Sequence, residues 1–127
     1  MSVSSRVVVG LTLQFKGKLS TADWRKIHAM EEKYPELDEY SYNYKDRAGK
    51  LLLISDGMNG EFCRLIKVDK YVDGKSLREA NEFVELNMPE GVLNQELISR
   101  MSELYKEFTG EYPKNTDFKY AMWSQTY

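Results

Sequence analysis

The first regular pattern in the chain is an alternation of apolar and polar residues between positions 6 and 16. The apolar positions of this stretch are all odd-numbered: Val7, Val9, Leu11, Leu13 and Phe15. The positions between them include Thr12, Gln14 and Lys16. Because successive side chains of a strand point to opposite faces of its sheet, this alternation predicts a half-buried strand.

A helix is predicted between Ser20 and Pro35. Ser20 is a favourable N-cap, and Asp23 three residues later completes a weaker form of the capping box. Apolar residues then recur at helical spacing: Trp24, Ile27, Met30 and Tyr34. Pro35 cannot continue a helix, so the helix is expected to end just before it.

The stretch at residues 38 to 45 reads DEYSYNYK, with tyrosine at positions 40, 42 and 44. This spacing predicts a strand that points three aromatic rings to one face. The unbroken apolar run at 51 to 54 predicts a central strand, covered on both faces or covered on one and paired in an oligomer on the other. After the turn DGMNG at 56 to 60, a third hairpin-linked strand is expected from Phe62 to Val68 or Tyr71, closed by Asp73 and Gly74.

The last third of the chain contains two helical patterns and a final strand. Ser76 and Glu79 form a capping box before a helical pattern, although its end, FVELNM, also fits a short strand. A second helix is predicted from apolar residues that recur at helical spacing: Leu97, Met101, Leu104, Tyr105 and Phe108. Gly110 is the expected stop of that helix. The segment from 116 to 127 is strand-like, with Phe118, Tyr120 and Met122 on one face.

The order of these elements predicts an α+β fold. It reads strand, helix, strand, strand, strand, helix, helix, strand, and the alternation of strands and helices is only partial. We expect a single, mainly antiparallel sheet of about five strands with the helices packed on one face. With 127 residues and no linker-like stretch, the chain is expected to form one domain over residues 1–127.

Composition and charge exclude several classes of function. Eighteen basic and twenty acidic residues give a net charge of −2, so binding to nucleic acid is not expected. No apolar run approaches the length of a membrane span, and the N-terminus lacks a signal-peptide pattern. A single cysteine excludes a disulfide within the chain. The expected location is the cytoplasm.

Few residues of the sequence are candidates for catalysis, metal binding or phosphate binding. His28 is the only histidine and Cys63 the only cysteine, and neither lies in a local motif of a known nucleophile. The DGMNGE loop lacks the alternating oxygen ligands of a calcium loop, and no second histidine supports a metal site. Phosphate-binding glycine motifs are also absent from the sequence. No cofactor and no metal are therefore expected, and the chain is predicted not to be an enzyme.

Aromatic and acidic residues are the features that indicate binding. Aromatic residues make up 13% of the chain, and tyrosine and tryptophan are enriched at interfaces. If the last strand neighbours the tyrosine strand, their rings could share one sheet face. An acidic corner adjoins it at the end of the first helix. The residues predicted to bind are Tyr40, Tyr42, Tyr44, Arg47, Arg64, Tyr120, Trp123, Glu36, Asp38 and Glu39.

Three functions are compatible with these features of the sequence. The first is a non-enzymatic module that binds a protein partner or a second copy of itself, as small inhibitors and regulators of phage or mobile-element type do. The second is a protein that binds a small anionic metabolite or nucleotide at an oligomer interface, where Arg47, Arg64 or Lys67 would meet the negative charge. The third is an enzyme that uses Cys63 with His28.

Overall fold

The computed structural model describes residues 4–16, 19–55, 63–75 and 82–126. These residues contain the strands β1 (Ser4–Lys16), β2 (Leu51–Ser55), β3 (Cys63–Lys75), β4 (Glu82–Glu85) and β5 (Phe118–Thr126). They also contain the helices α1 (Thr21–Lys33) and α2 (Gln95–Thr109). Single-turn 3₁₀ helices lie at Pro35–Leu37, Glu39–Ser41, Tyr44–Asp46 and Asn115–Asp117.

The strands form one sheet in the order β2-β3-β1-β5-β4, and every neighbouring pair is antiparallel. The predicted α+β class with a single antiparallel sheet is confirmed. β1 lies at the centre, and a bulge in its pairing with β3 falls between Val9 and Gly10. Neither described helix is long and apolar enough to cross a membrane.

Both helices pack against the same face of the sheet. Ser20 caps α1, since its hydroxyl accepts from the Asp23 amide while the Asp23 carboxylate accepts from the Ser20 amide. Gly110 ends α2 with φ +87°, a conformation that glycine adopts without strain. The inner positions of both helices and of the strands beneath them form the larger core, which includes Leu11, Leu13, Ile27, Met30, Leu65, Met101, Leu104, Phe108 and Phe118.

The second face of the sheet is also covered. A smaller apolar cluster lies there, made of Val8, Leu52, Ile54, Ile66, Val68 and Trp123, with Tyr42 and Tyr71 packed against it. Thr12, on the predicted polar side of β1, is buried and donates its hydroxyl to the carbonyl of Lys119 at 2.9 Å. The expectation that β1 is only half buried is therefore wrong, because a second layer of side chains covers its other face.

The predicted tyrosine strand at 38 to 45 is wrong. Two 3₁₀ turns occupy these residues, and the only strand-like contact among them is a single parallel bridge between Asp38 and Leu53. That bridge lies on the outer side of β2. β2 is therefore an edge strand of the sheet rather than a central one, although both of its faces are buried.

Three other boundaries differ from the sequence prediction. β3 continues through Asp73 and Gly74 to Lys75, so these two residues do not close a turn. β4 shows that the strand alternative was right for Glu82–Glu85, since these residues pair with β5. The predicted capping box at Ser76 and Glu79 and the turn at 56 to 60 lie outside the described residues.

Candidate functional site

The candidate site is built on residues 38–47, here called the tyrosine segment. Side chains fix its path: the Asp38 carboxylate accepts from the Tyr40 amide at 3.0 Å, and the Ser41 hydroxyl donates to the Pro35 carbonyl at 3.1 Å. The Tyr42 hydroxyl donates to the carbonyl of Glu36 at 3.0 Å. Polar side chains that bond to nearby backbone favour turns over strands, and this explains the local conformation.

A buried ionic cluster anchors the tyrosine segment to the sheet. Arg6 of β1 donates to the Glu39 carboxylate, and both side chains are buried. The Tyr71 hydroxyl of β3 donates to the same carboxylate at 3.0 Å. Burial opposes the charge of Arg6, but the nearby Glu39 carboxylate and Tyr71 hydroxyl outweigh it and raise the pKa of the guanidinium. The Glu39 carboxylate therefore serves as a buried counter-charge that stabilises the fold.

Arg47 joins this cluster from the end of the tyrosine segment. It is buried, donates to the Tyr71 hydroxyl at 2.8 Å and lies 3.9 Å from the Glu39 carboxylate. Its guanidinium carbon is 4.5 Å from the ring centre of Tyr44, 4.8 Å from that of Tyr71 and 5.6 Å from that of Tyr40. Cation–π contacts strengthen where water is excluded, so Arg47 stabilises the closer rings of Tyr44 and Tyr71 more than the exposed ring of Tyr40.

The three predicted tyrosines differ in exposure. Tyr40 exposes 75% of its surface and Tyr44 exposes 48%, and the Tyr44 ring stacks on Tyr71 with centres 6.2 Å apart. Tyr42 is half-buried against the smaller apolar cluster, with the Lys50 ammonium 5.2 Å from its ring centre. The exposed aromatic surface therefore consists of Tyr40 and Tyr44 rather than of three rings on one sheet face.

The sheet residues predicted to bind do not join this surface as expected. Trp123 is buried on the second face, with the guanidinium carbons of Arg6 and Arg64 at 4.9 and 5.6 Å from its ring centre. Arg64 is buried too, and burial lowers its pKa to about 10. Tyr120 packs on the helix side of the sheet. The expected shared face is therefore wrong for Tyr120, whereas Trp123 lies in the apolar cluster against which Tyr42 packs.

Tyr120 forms a hydrogen bond that predicts a shifted titration. Its hydroxyl donates to Asp69 at 2.5 Å, and this bond, helped by burial, raises the pKa of Tyr120 from 10.0 to about 12. Because the unfolded chain loses this proton at lower pH, the stability from the bond is present below pH 10.0 and lost as pH rises through 12. We expect Asp69→Ala to return the pKa of Tyr120 towards 10.0, as followed by NMR of ¹³C-labelled tyrosine rings.

A Tyr120→Phe variant identifies the Tyr120 signal in that titration. An unchanged titration of this signal in Asp69→Ala would show that burial, and not the hydrogen bond, sets the pKa.

The three residues of the predicted acidic corner, Glu36, Asp38 and Glu39, lie in different surroundings. Glu36 is exposed and lies 3.4 Å from Arg100 of α2, whereas Asp38 caps the backbone of Tyr40. Glu39, predicted to face a partner, is buried in the ionic cluster. The corner therefore presents less negative charge than the sequence suggests.

His28 and Cys63 lie in contrasting surroundings. Cys63 is buried in the larger core, and burial raises the pKa of its thiol. His28 is exposed on α1 and lies 3.7 Å from the Glu31 carboxylate. A buried thiol with a raised pKa is a poor nucleophile. Among the described residues, no group of three acidic, histidine or cysteine side chains is placed to hold a metal ion.

Arg6 and Tyr71 are the members of the site that sequence reasoning missed. Arg6 comes directly before the alternating run of β1, and Tyr71 lies at the predicted end of β3. The sequence does not show that Arg6 is buried, because its counter-charge, Glu39, is distant in the chain and meets it only in the folded structure.

A comparison of the chain with protein-family models, curated proteins and solved structures finds no match in any of the three.

Proposed function

We propose that this chain is a non-enzymatic protein-binding module whose contact surface centres on Tyr40 and Tyr44. The observation that carries the proposal is that Tyr40 exposes 75% of its surface on a segment anchored by a buried ion pair. Tyrosine and arginine are enriched among the residues that dominate binding energy at protein interfaces. The partner would be regulated or inhibited by being bound.

The rigidity of the tyrosine segment supports this role. Binding normally costs about 0.5–1.5 kcal/mol for each flexible side chain that becomes ordered. Here Arg47 contacts the ring of Tyr44 and lies 5.6 Å from that of Tyr40, and hydrogen bonds of Asp38 and Ser41 fix the backbone beneath them. The surface is therefore preorganised, which lowers the entropic cost of docking a partner.

The contacts favour a protein partner over a small anionic ligand. Of the three cations considered for an anion, Arg47 donates to Tyr71 and Lys67 donates to the carbonyl of Gly49. The third, Arg64, lies against the rings of Phe83 and Trp123. One groove of about 330 Å³ lies beside Tyr34 and Arg100, away from these cations, and another of about 290 Å³ is lined by Lys67 together with the acidic residues Asp69 and Glu90.

A capture experiment with matched variants tests the proposal. The wild type, the double variant Tyr40→Ala/Tyr44→Ala and the control Tyr112→Ala are immobilised and exposed to lysate of the native host, and retained proteins are quantified by mass spectrometry. Tyr112 is a suitable control because it exposes 55% of its surface and also carries a cation, Lys106, over its ring.

We expect a protein that the wild type and Tyr112→Ala retain equally and that the double variant retains roughly a hundredfold less, as two hot-spot side chains would predict. Circular dichroism should show that the double variant is folded. If every variant retains the same proteins, or the wild type retains none, the tyrosine surface is not a binding site.

A further inference from the structure

The two edge strands of the sheet, β2 and β4, differ in the residues that cover their outer sides. At one edge, the Asp38 bridge to Leu53 and the tyrosine segment cover β2. At the other edge lies β4, whose outer side has no pairing partner among residues 4–16, 19–55, 63–75 and 82–126. An uncovered edge offers free backbone groups to another strand.

The backbone groups that face outward from β4 can be assigned. The Leu86 amide donates to the Tyr120 carbonyl at 2.7 Å, directly beyond the paired residues of β4 and β5. Because hydrogen-bonded and non-hydrogen-bonded pairs alternate along an antiparallel ladder, Val84 also bonds towards β5. Phe83 and Glu85 therefore direct their amides and carbonyls away from the sheet.

The side chains along this edge are unusually apolar for an exposed strand. Phe83 exposes 42% and Val84 exposes 40% of its surface, on opposite faces of the strand, and Leu86 and Met88 continue the exposed run. Natural edges are usually protected by lysine, proline or a bulge at such positions. Successive exposed apolar residues beside free backbone groups are typical of a site that accepts a strand.

The charge around this edge is negative. Residues 82–90, which form β4 and the segment after it, contain Glu82, Glu85 and Glu90 and no lysine or arginine. Lys119 of β5 lies 3.1 Å from Glu85 and balances that charge, and the Arg64 guanidinium lies over the Phe83 ring on one face of the strand. A strand that docks here is favoured if it brings positive charge on either side of its apolar residues.

A second copy of this chain does not fit these requirements. In the antiparallel register that pairs all four residues of two β4 strands, Glu82 of each copy would lie opposite Glu85 of the other. Like charges directly opposite each other destabilise a strand pair.

We infer that the outer edge of β4 accepts an extended segment of a partner protein, in which apolar residues are flanked by lysine or arginine. The added strand would bond to the outward backbone groups of Phe83 and Glu85 and would contact Phe83 and Val84 with its side chains. This surface is separate from the tyrosine segment, which covers the opposite edge of the sheet.

Two synthetic peptides provide the first test. One alternates valine and threonine between flanking lysines, and the other is identical except that glutamates replace the lysines. With ¹⁵N-labelled wild-type protein, the lysine peptide should shift the amide signals of Phe83 to Leu86 in a saturable manner, and the glutamate peptide should bind at least about tenfold more weakly.

A pair of variants at one position provides the second test. Glu85→Pro removes an outward amide and should leave the β5 ladder intact, whereas Glu85→Ala keeps the amide and loses the same contact with Lys119. The lysine peptide should bind Glu85→Pro roughly tenfold more weakly than Glu85→Ala. The comparison of peptides on the wild type does not depend on either variant folding.

Several results would overturn the inference. These are no binding of the lysine peptide, equal binding of both peptides, and equal binding of the peptide to folded Glu85→Pro and Glu85→Ala. Light scattering that shows a wild-type dimer disrupted by Glu85→Pro would assign the edge to a second copy instead. Loss of peptide binding in Tyr40→Ala/Tyr44→Ala would show that the two surfaces are not separate.

Discussion

Glu39→Ala is expected to lower the free energy of unfolding by about 3–5 kcal/mol, which is the usual cost of removing one partner of a buried ion pair. The alanine would leave Arg6 and Arg47 buried without their shared counter-charge. The Tyr71 hydroxyl would also lose its acceptor. Urea unfolding, followed by circular dichroism and extrapolated to water, measures this loss.

Two further variants distinguish a buried ion pair from an ordinary carboxylate. Glu36→Ala removes an exposed carboxylate near Arg100 and should cost less than about 1 kcal/mol. Arg6→Met/Glu39→Leu removes both charges and should be more stable than Glu39→Ala alone. A cost for Glu39→Ala as small as that for Glu36→Ala would show that the ionic cluster does not anchor the tyrosine segment.

A second substitution of Glu39 connects stability to the proposed function. If Glu39 holds the tyrosine segment against the sheet, its loss should free Tyr40 and Tyr44 before the remainder of the domain unfolds. Partner retention by Glu39→Gln, which keeps the shape of the side chain, should then fall although both rings are still present. Faster hydrogen exchange of the Ser41 and Tyr42 amides would identify this loosening, because both amides bond within the segment.

Gly10→Ala is expected to destabilise the domain by about 3 kcal/mol, at the upper end of the range for overpacked sites. A β-carbon at Gly10 would overlap the carbonyl oxygen of Lys67 and lie 2.9 Å from its carbonyl carbon. Both are backbone atoms of β3, so a side-chain movement cannot relieve the clash. The central pair of strands would have to separate, and thermal unfolding by calorimetry would record the loss.

Gly91→Ala is the matched control for that substitution. Gly91 has a positive φ of 82°, but no atom lies within 4 Å of the position of its added β-carbon. Its replacement should cost only about 1 kcal/mol, the usual penalty for alanine in a left-handed conformation. Equal costs at both positions would show that the bulge at Gly10 can widen without loss of pairing.

Short-range signals explain the elements that were predicted correctly. The capping box of Ser20 and Asp23 and the stop at Gly110 depend on atoms within a few residues, so a sequence displays them directly. The alternation predicts β1 correctly because three of its apolar residues, Leu11, Leu13 and Phe15, face the larger core. The half-buried state assigned to it was wrong, because the second layer over it comes from distant residues.

The tyrosine segment shows how one local signal can prevail over another. Tyrosines at every second position fit a strand, but Asp38 and Ser41 offer side-chain hydrogen bonds that favour turns. β4 shows the reverse, since pairing with β5 selects a strand for residues that also fit a helical pattern. A local preference therefore prevails in the tyrosine segment, whereas a tertiary contact decides the conformation of β4.

The sequence by itself determined the α+β class, both ends of α1, the C-terminal end of α2 and the presence of an aromatic segment with Arg47 at its end. The tertiary structure alone decided that Arg47 is buried between tyrosine rings and that Glu39 neutralises Arg6 across 33 positions of sequence. It also decided that the outer side of β4 has no pairing partner within the described part of the chain. Helix caps and alternation arise from neighbouring residues, whereas buried charges and sheet edges depend on which distant strands meet.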